Sequence, residues 1–244
     1  TSTDDGKSVA VDTATGDVYV MGSYYASFTF AGTTLPYTSF GYDVFVAKIS
    51  SAGVPQWIVG YTGINSQLGA DLTVDPYGNI YTFGAFDSTV TIGSTSLSAG
   101  GSYETDLFLA KLTPSGSVSW ATSYDATDVV YSGFGTKFGG IKCLSNGDVV
   151  FTTNFRTSIT IGSTTLSSSG TGFDYDVVLA RIDSSGTPVW AEKAGSSGAD
   201  YGNDLAVDAN DNIWITGRSG GAITFDTISL AASGSSSVFL AKYN

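Results

Sequence analysis

Four of the ten Lys and Arg residues in this 244-residue chain hold one recurring slot. Lys48 lies in DVFVAKI, Lys111 in DLFLAKL, Arg181 in DVVLARI and Lys242 in SVFLAKY. Four cations converging on one open face would bind an anion, whereas four dispersed in equivalent places would be parts of a repeated framework. The chain also carries 22 Asp and Glu residues but no His. Without His, Ser-His-Asp and Cys-His mechanisms are excluded and the commonest general base is missing. Paired carboxylates of the glycosidase kind remain as the remote hydrolase reading, although most of the acids fall in recurring turn positions.

Three further groups of residues could do chemistry. Asp208, Asn210 and Asn212 in DANDN alternate oxygen-bearing side chains as a calcium loop does, but the Gly and Glu that complete such a loop are absent. The aligned stretches DPYGN and LSNGD favour a tight turn that uses Asn, Asp and Gly for positive φ. No cofactor and no metal are therefore expected, with calcium as the weaker alternative. Cys143, the one cysteine, cannot build an internal disulfide. It shares an apolar slot with Val11, Val74 and Val207, which predicts a buried, unreactive thiol. Finally, Tyr24, Phe86, Phe155 and Ser219 share a slot. On an open face those rings would stack on sugars and form a ligand-binding site; between packed sheets they would be core.

The net charge of −12 opposes binding to a phosphate backbone or an anionic membrane surface. No apolar run is long enough to span a bilayer. Nucleic acid and membrane insertion are thus set aside, leaving other protein chains, other domains of the same protein, or glycans as partners.

The elements that must position these residues are repeats. Ahead of each basic motif stand SVAVDTATGDVYVMG, DLTVDPYGNIYTFG, IKCLSNGDVVFTT and DLAVDANDNIWITG, each reading as strand, polar turn, strand. FTFAGTTL, VTIGSTSL, ITIGSTTL and ITFDTISL follow as a small hairpin or bulged strand. After the first three basic motifs comes a turn and a strand carrying Trp57, Trp120 or Trp190, nine positions beyond the basic residue. The basic residues themselves are 63, 70 and 61 positions apart. Four strands per unit with Gly, Asn, Asp and Ser turns predict an all-β chain, a β-propeller of four blade units. The units run approximately over 1–62, 63–127, 128–196 and 197–244, within a single domain spanning 1–244. The ring slot Tyr19, Tyr81, Val150 and Trp214 is expected to pack between blades, and the basic residues are expected to pair with the slot holding Asp12, Asp75 and Asp208. Arg181 tests that pairing, because Leu144 removes the acid from its unit.

VDPYGNIYTFG followed by DLFLAKLTPSGSVSW resembles the bacterial-type β-propeller repeat known as SBBP. The resemblance covers essentially the whole chain in four units, with unit three departing most at Cys143 and Leu144. It implies a propeller with its strands ordered from axis to rim, usually within a large secreted or surface protein, and it brings no catalytic residues. The last unit lacks the strand that would carry a fourth Trp, and about 13 residues would be needed to close a four-blade ring. A segment of a longer protein, or a strand donated by another chain, is the expectation. The chain is therefore expected to be a non-enzymatic structural or adhesive module of an extracellular or cell-surface protein. A lectin-like propeller using Tyr24, Phe86 and Phe155 is the alternative.

Overall fold

The polar turns show most directly how sequence becomes local structure. The Asp75 carboxylate accepts hydrogen bonds from the Tyr77 and Asn79 amides at 2.9 and 2.8 Å, and from Asn79 Nδ2 at 2.8 Å. Gly78 then closes DPYGN at φ 83°. Asp208 repeats the arrangement with Asn210 and Asn212, and Asp211 takes the left-handed position at φ 62°. Where Leu144 supplies no acceptor, Asn146 Oδ1 receives the Asp148 amide instead, at 3.0 Å. Each turn therefore reverses the chain with its own side chains and launches an antiparallel partner.

A computed structural model describes residues 4–37, 41–100, 105–126, 138–170, 174–232 and 234–244. The fold is all-β, built of antiparallel sheets, with no helix among the described residues. The chain divides into two compact units, Thr1–Ser123 and Tyr124–Asn244.

The first unit begins with β1 (Asp5–Val11) and β2 (Val18–Tyr24), then a short hairpin of β3 (Phe28–Phe30) and β4 (Thr33–Leu35). β5 (Asp43–Ile49) and β6 (Pro55–Ile64) complete the first repeat. The second repeat supplies β7 (Gln67–Val74), β8 (Ile80–Asp87), the hairpin β9 (Thr89–Ile92) and β10 (Thr95–Ser98), β11 (Thr105–Leu112) and β12 (Val118–Ala126). The sheet order is β1-β2-β5-β6-β9-β10, and β7, β8, β11 and β12 are neighbours in that order in a second sheet. The sequence places the short hairpin within its own repeat, but the structure adds β9–β10 to β6 of the repeat before it. Ser88, left-handed at φ 62°, turns the chain out of the β8 sheet toward that edge. The Trp strand is therefore covered by a hairpin and is not the outermost strand.

The second unit repeats the plan. It holds β13 (Gly140–Cys143), β14 (Val149–Arg156), the hairpin β15 (Ser158–Ile161) and β16 (Thr164–Ser167), β17 (Tyr175–Ile182) and β18 (Pro188–Gly195). The fourth repeat gives β19 (Tyr201–Val207), β20 (Ile213–Ser219), the hairpin β21 (Ile223–Phe225) and β22 (Ile228–Leu230), and β23 (Ser237–Tyr243). One sheet has the order β13-β14-β17-β18-β21-β22, and another contains only β19-β20-β23.

Within each unit the two repeats pack sheet against sheet. In the first, Tyr19, Met21, Val44 and Val46 of repeat one bury against Leu72, Ile80, Phe86 and Phe108 of repeat two. In the second, Val150, Val177 and Leu179 join Leu205, Ile215 and Phe239 in one core. Strands sandwiched this way are apolar on both faces, which is why β11 and β17 read as near-continuous hydrophobic runs. A second recurrent pair sits at the centre of each sheet: Phe45, Phe108 and Phe239 stand directly opposite Gly22, Gly84 and Gly217. The ring occupies the space where the glycine has no side chain. Repeat three exchanges both partners, placing Val178 opposite Thr153.

Candidate functional site

Each basic residue of the recurring motif stands beside a ring, an acid or both. Lys48 pairs directly across the ladder with Trp57, and Arg181 with Trp190. On the other side, the Lys48 and Lys111 ammonium groups lie 5.4 and 4.9 Å from the ring centroids of Tyr19 and Tyr81. Those tyrosines in turn meet Trp57 and Trp120, each at 6.0 Å between centroids. Trp57 Nε1 donates to the Pro114 carbonyl at 3.2 Å, which ties the repeat-one cluster to a turn of repeat two. The cluster is an apolar joint with a cation laid over an aromatic face, an arrangement worth about 0.5–2 kcal/mol.

The acid partner follows the residue that opens the second strand of each repeat. Where that residue is Asp, it takes the cation: Lys48 reaches Asp17 at 2.8 Å, and Arg181 Nε and Nη2 reach Asp148 Oδ2 at 2.9 and 2.7 Å. Where it is Asn, as at Asn79 and Asn212, the amide is bound to the turn acid, Asp75 or Asp208. Lys111 then approaches Asp75 at 3.9 Å. The expected Asp12/Asp75/Asp208 pairing therefore holds for Lys111 and is corrected for Lys48, because Thr15 and the Ala14 amide occupy the Asp12 carboxylate. Repeat three has Val150 where the others have a ring, and there the guanidinium binds Asp148. The hydrogen bond from Lys48 holds the Asp17 carboxyl below its ordinary range. Burial pulls the Lys48 ammonium down, but its bonds to Asp17 and Tyr19 outweigh this and leave it raised.

Lys242 differs. It lies 5.6 Å from the Trp214 ring, with no ion pair among the described residues and no Trp strand beside it. Trp214 is correspondingly 37% exposed, whereas Tyr19, Tyr81 and Val150 in the same slot are fully buried.

Of the two readings of the Tyr24, Phe86, Phe155 and Ser219 slot, the structure supports core and corrects the ligand-binding one. Tyr24, Phe86 and Phe155 are fully buried and Ser219 nearly so, because each closes the end of a strand that other apolar side chains cover. They offer no ring to a ligand. The neighbouring position carries the exposed aromatic group instead. Tyr25 packs at 5.5 Å from Tyr37 and 5.0 Å from Tyr42, and both Tyr25 and Tyr37 reach solvent. Sequence alignment of repeats misses this cluster because repeats two to four have no equivalent of Tyr25 or Tyr37. Cys143 also departs from expectation: it is partly exposed in β13, like the aligned Val74 and Val207.

Acids elsewhere are used in loop construction. Asp200 is fully buried and accepts from the Ser196 and Gly220 amides at 2.6 and 3.0 Å and from Ser196 Oγ at 3.2 Å. Burial raises its pKa above the ordinary range. Asp208 goes the other way, held at about 2 by the Asn212 side chain and the Asn210 amide. Its oxygens face N–H donors, the arrangement of a turn. Among the described residues no three Cys, Asp or Glu side chains gather as a metal site.

No family model matches the chain. No curated protein matches it either. Among solved structures the chain is similar to a protein of unknown function from Bacteroides caccae, at 10% identity and a TM-score of 0.44. That similarity covers 99% of this chain and 61% of the other, so the chain spans about three-fifths of that protein's length.

Proposed function

We propose that the chain is a non-enzymatic, four-bladed segment of a β-propeller, serving an extracellular or cell-surface protein as a structural module for contacts with other protein chains or domains. The observation that carries the reading is where the chemically capable residues are spent. Lys48, Lys111 and Arg181 are satisfied by acids or rings inside their own repeats, and Trp57 and Trp120 pack on tyrosines. Successive repeats packed sheet on sheet within each unit, with strands in the order of a blade, support the propeller, as does the resemblance of the repeat to the SBBP pattern. The acidic surplus keeps such a module soluble.

A second reading, glycan binding, is favoured by one observation, the exposed Tyr25 and Tyr37 rings, with Tyr25 packed on the half-buried Tyr42. A glycan array and a panel of glycoside and ester substrates, probed with the 244-residue chain, separate the readings. The structural reading expects neither turnover nor glycan capture. Glycan binding that disappears in Tyr25→Ala, with the melting temperature kept, would replace it.

A further inference from the structure

Repeats three and four meet around two carboxylates that water does not reach. Asp176, at the head of the recurring motif in β17, and Asp200, just before β19, are both fully buried. They lie against consecutive residues of the stretch that joins the repeats. The Asp176 carboxyl group fills the space over Gly195 that a side chain would take. Asp200 binds the next residue, accepting from the Ser196 amide at 2.6 Å and from Ser196 Oγ at 3.2 Å. Asp200 also gathers the joint. Its amide donates to the Tyr175 carbonyl at 2.6 Å, and its Oδ1 accepts from the Gly220 amide at 3.0 Å.

Charge is not balanced there. Among the described residues Lys193 of β18 is the cation paired with either carboxylate, at 3.3 Å from Asp176 Oδ2. The Ser169 amide and hydroxyl donate to the same oxygen, each at 2.8 Å. Asp176 Oδ1 is buried and accepts no hydrogen bond among the described residues. The other titratable or charged groups on the surrounding elements are Asp174 and Tyr175 beside Asp176, Tyr201 of β19 and Arg218 of β20. The Arg218 guanidinium is engaged by the Tyr201 ring, 5.7 Å away, and by Ser236 Oγ. The first unit shows the uncharged counterpart. There Asp43 holds the place of Asp176, but Gln67 stands for Asp200 and donates its amide to the Tyr42 carbonyl at 2.6 Å. Two buried like charges with one ammonium between them favour proton uptake by one of the pair.

We infer that Asp200 is a proton-operated latch on the joint between repeats three and four, which tightens as the medium turns mildly acidic. Burial raises the Asp200 pKa and Asp176 adds to the rise, while the Ser196 and Gly220 donors oppose it without cancelling it. The folded chain therefore holds this proton more tightly than the unfolded one. The stabilisation is complete below the unfolded value of about 4 and is lost as pH rises through the folded one. The chain has no His, so no side chain at its ordinary value titrates between about pH 5 and 7. The latch concerns one joint and stands independently of the function proposed above.

Two-dimensional NMR of the 244-residue chain, titrated from about pH 7 to 4, reads the proton directly. The Ser196 and Gly220 amide resonances should move together with a midpoint above about 4, and the melting temperature should climb over the same window. Asp176→Asn removes the like charge and should lower that midpoint. Asp200→Asn should abolish the shared movement and flatten the climb; if it does not fold, Asp176→Asn carries the test. A midpoint at or below about 4, or one unchanged by Asp176→Asn, overturns the inference. So does a climb that survives in full in Asp200→Asn, because the gain is then the general loss of negative charge.

Discussion

At the residue scale, one motif position is read through its neighbours. Lys48 and Arg181 bind an acid because Asp17 and Asp148 open the adjacent strand, and Lys111 leans on a ring because Asn79 is engaged elsewhere. The recurrence of the cation was legible in the sequence; its partner was not, since partner choice turns on which oxygen the turn leaves unoccupied. Asp148→Ala should strip the two Arg181 hydrogen bonds and cost about 1–2 kcal/mol. Lys242→Ala should change stability by no more than about 0.5 kcal/mol. Urea unfolding of both variants checks this, and equal losses would refute the assignment. Asp208 adds a pH signature. Its folded pKa of about 2 lies below the value of about 4 for an unfolded aspartate. The unfolded chain thus binds the proton first, and this stabilisation, full above pH 4, is lost as pH falls through 2. Asp208→Asn should flatten the fall in melting temperature between pH 4 and 2, and an unchanged slope would show that the carboxylate is not held in this way.

At the element scale, the repeats specify strands well because each strand lies between two apolar surfaces and each turn carries its own acceptors. The pairing of the small hairpin with the preceding repeat was hidden. Nothing in VTIGSTSL distinguishes an edge of its own sheet from the edge of a neighbouring one, and the deciding residue, Ser88, has no sequence signature for its positive φ. Whether the aromatic slot faced core or solvent was open in the sequence: Tyr24 and Tyr25 differ by one place, and in a strand one place moves a side chain to the other face. The glycine opposite each central Phe gives a sharp test. A Cβ on Gly84 would lie 2.3 Å from the Leu68 carbonyl oxygen and 2.4 Å from Phe108 Cζ. Gly84→Ala should therefore cost about 2 kcal/mol or more. Adding Phe108→Val relieves only the ring, so stability should not return. Recovery in the double variant would mean that the backbone contact is unimportant.

At the scale of the whole molecule, the repeats differ in how fully they are covered. Repeats one to three each carry a Trp strand, and repeat four presents the bare β23 edge with Val238 and Leu240 in solvent. The groove beside Asp226 needed coordinates, because the β21–β22 hairpin and the β23 edge are brought together only by folding. The central proposal, that four repeats stack as successive blades of one propeller segment, is tested most directly by small-angle X-ray scattering of the 244-residue chain. One compact body of this length should give a radius of gyration of about 18 Å and a single-peaked distance distribution. A two-peaked distribution with a radius above about 22 Å, as expected of two separate bodies of half the length, would contradict it.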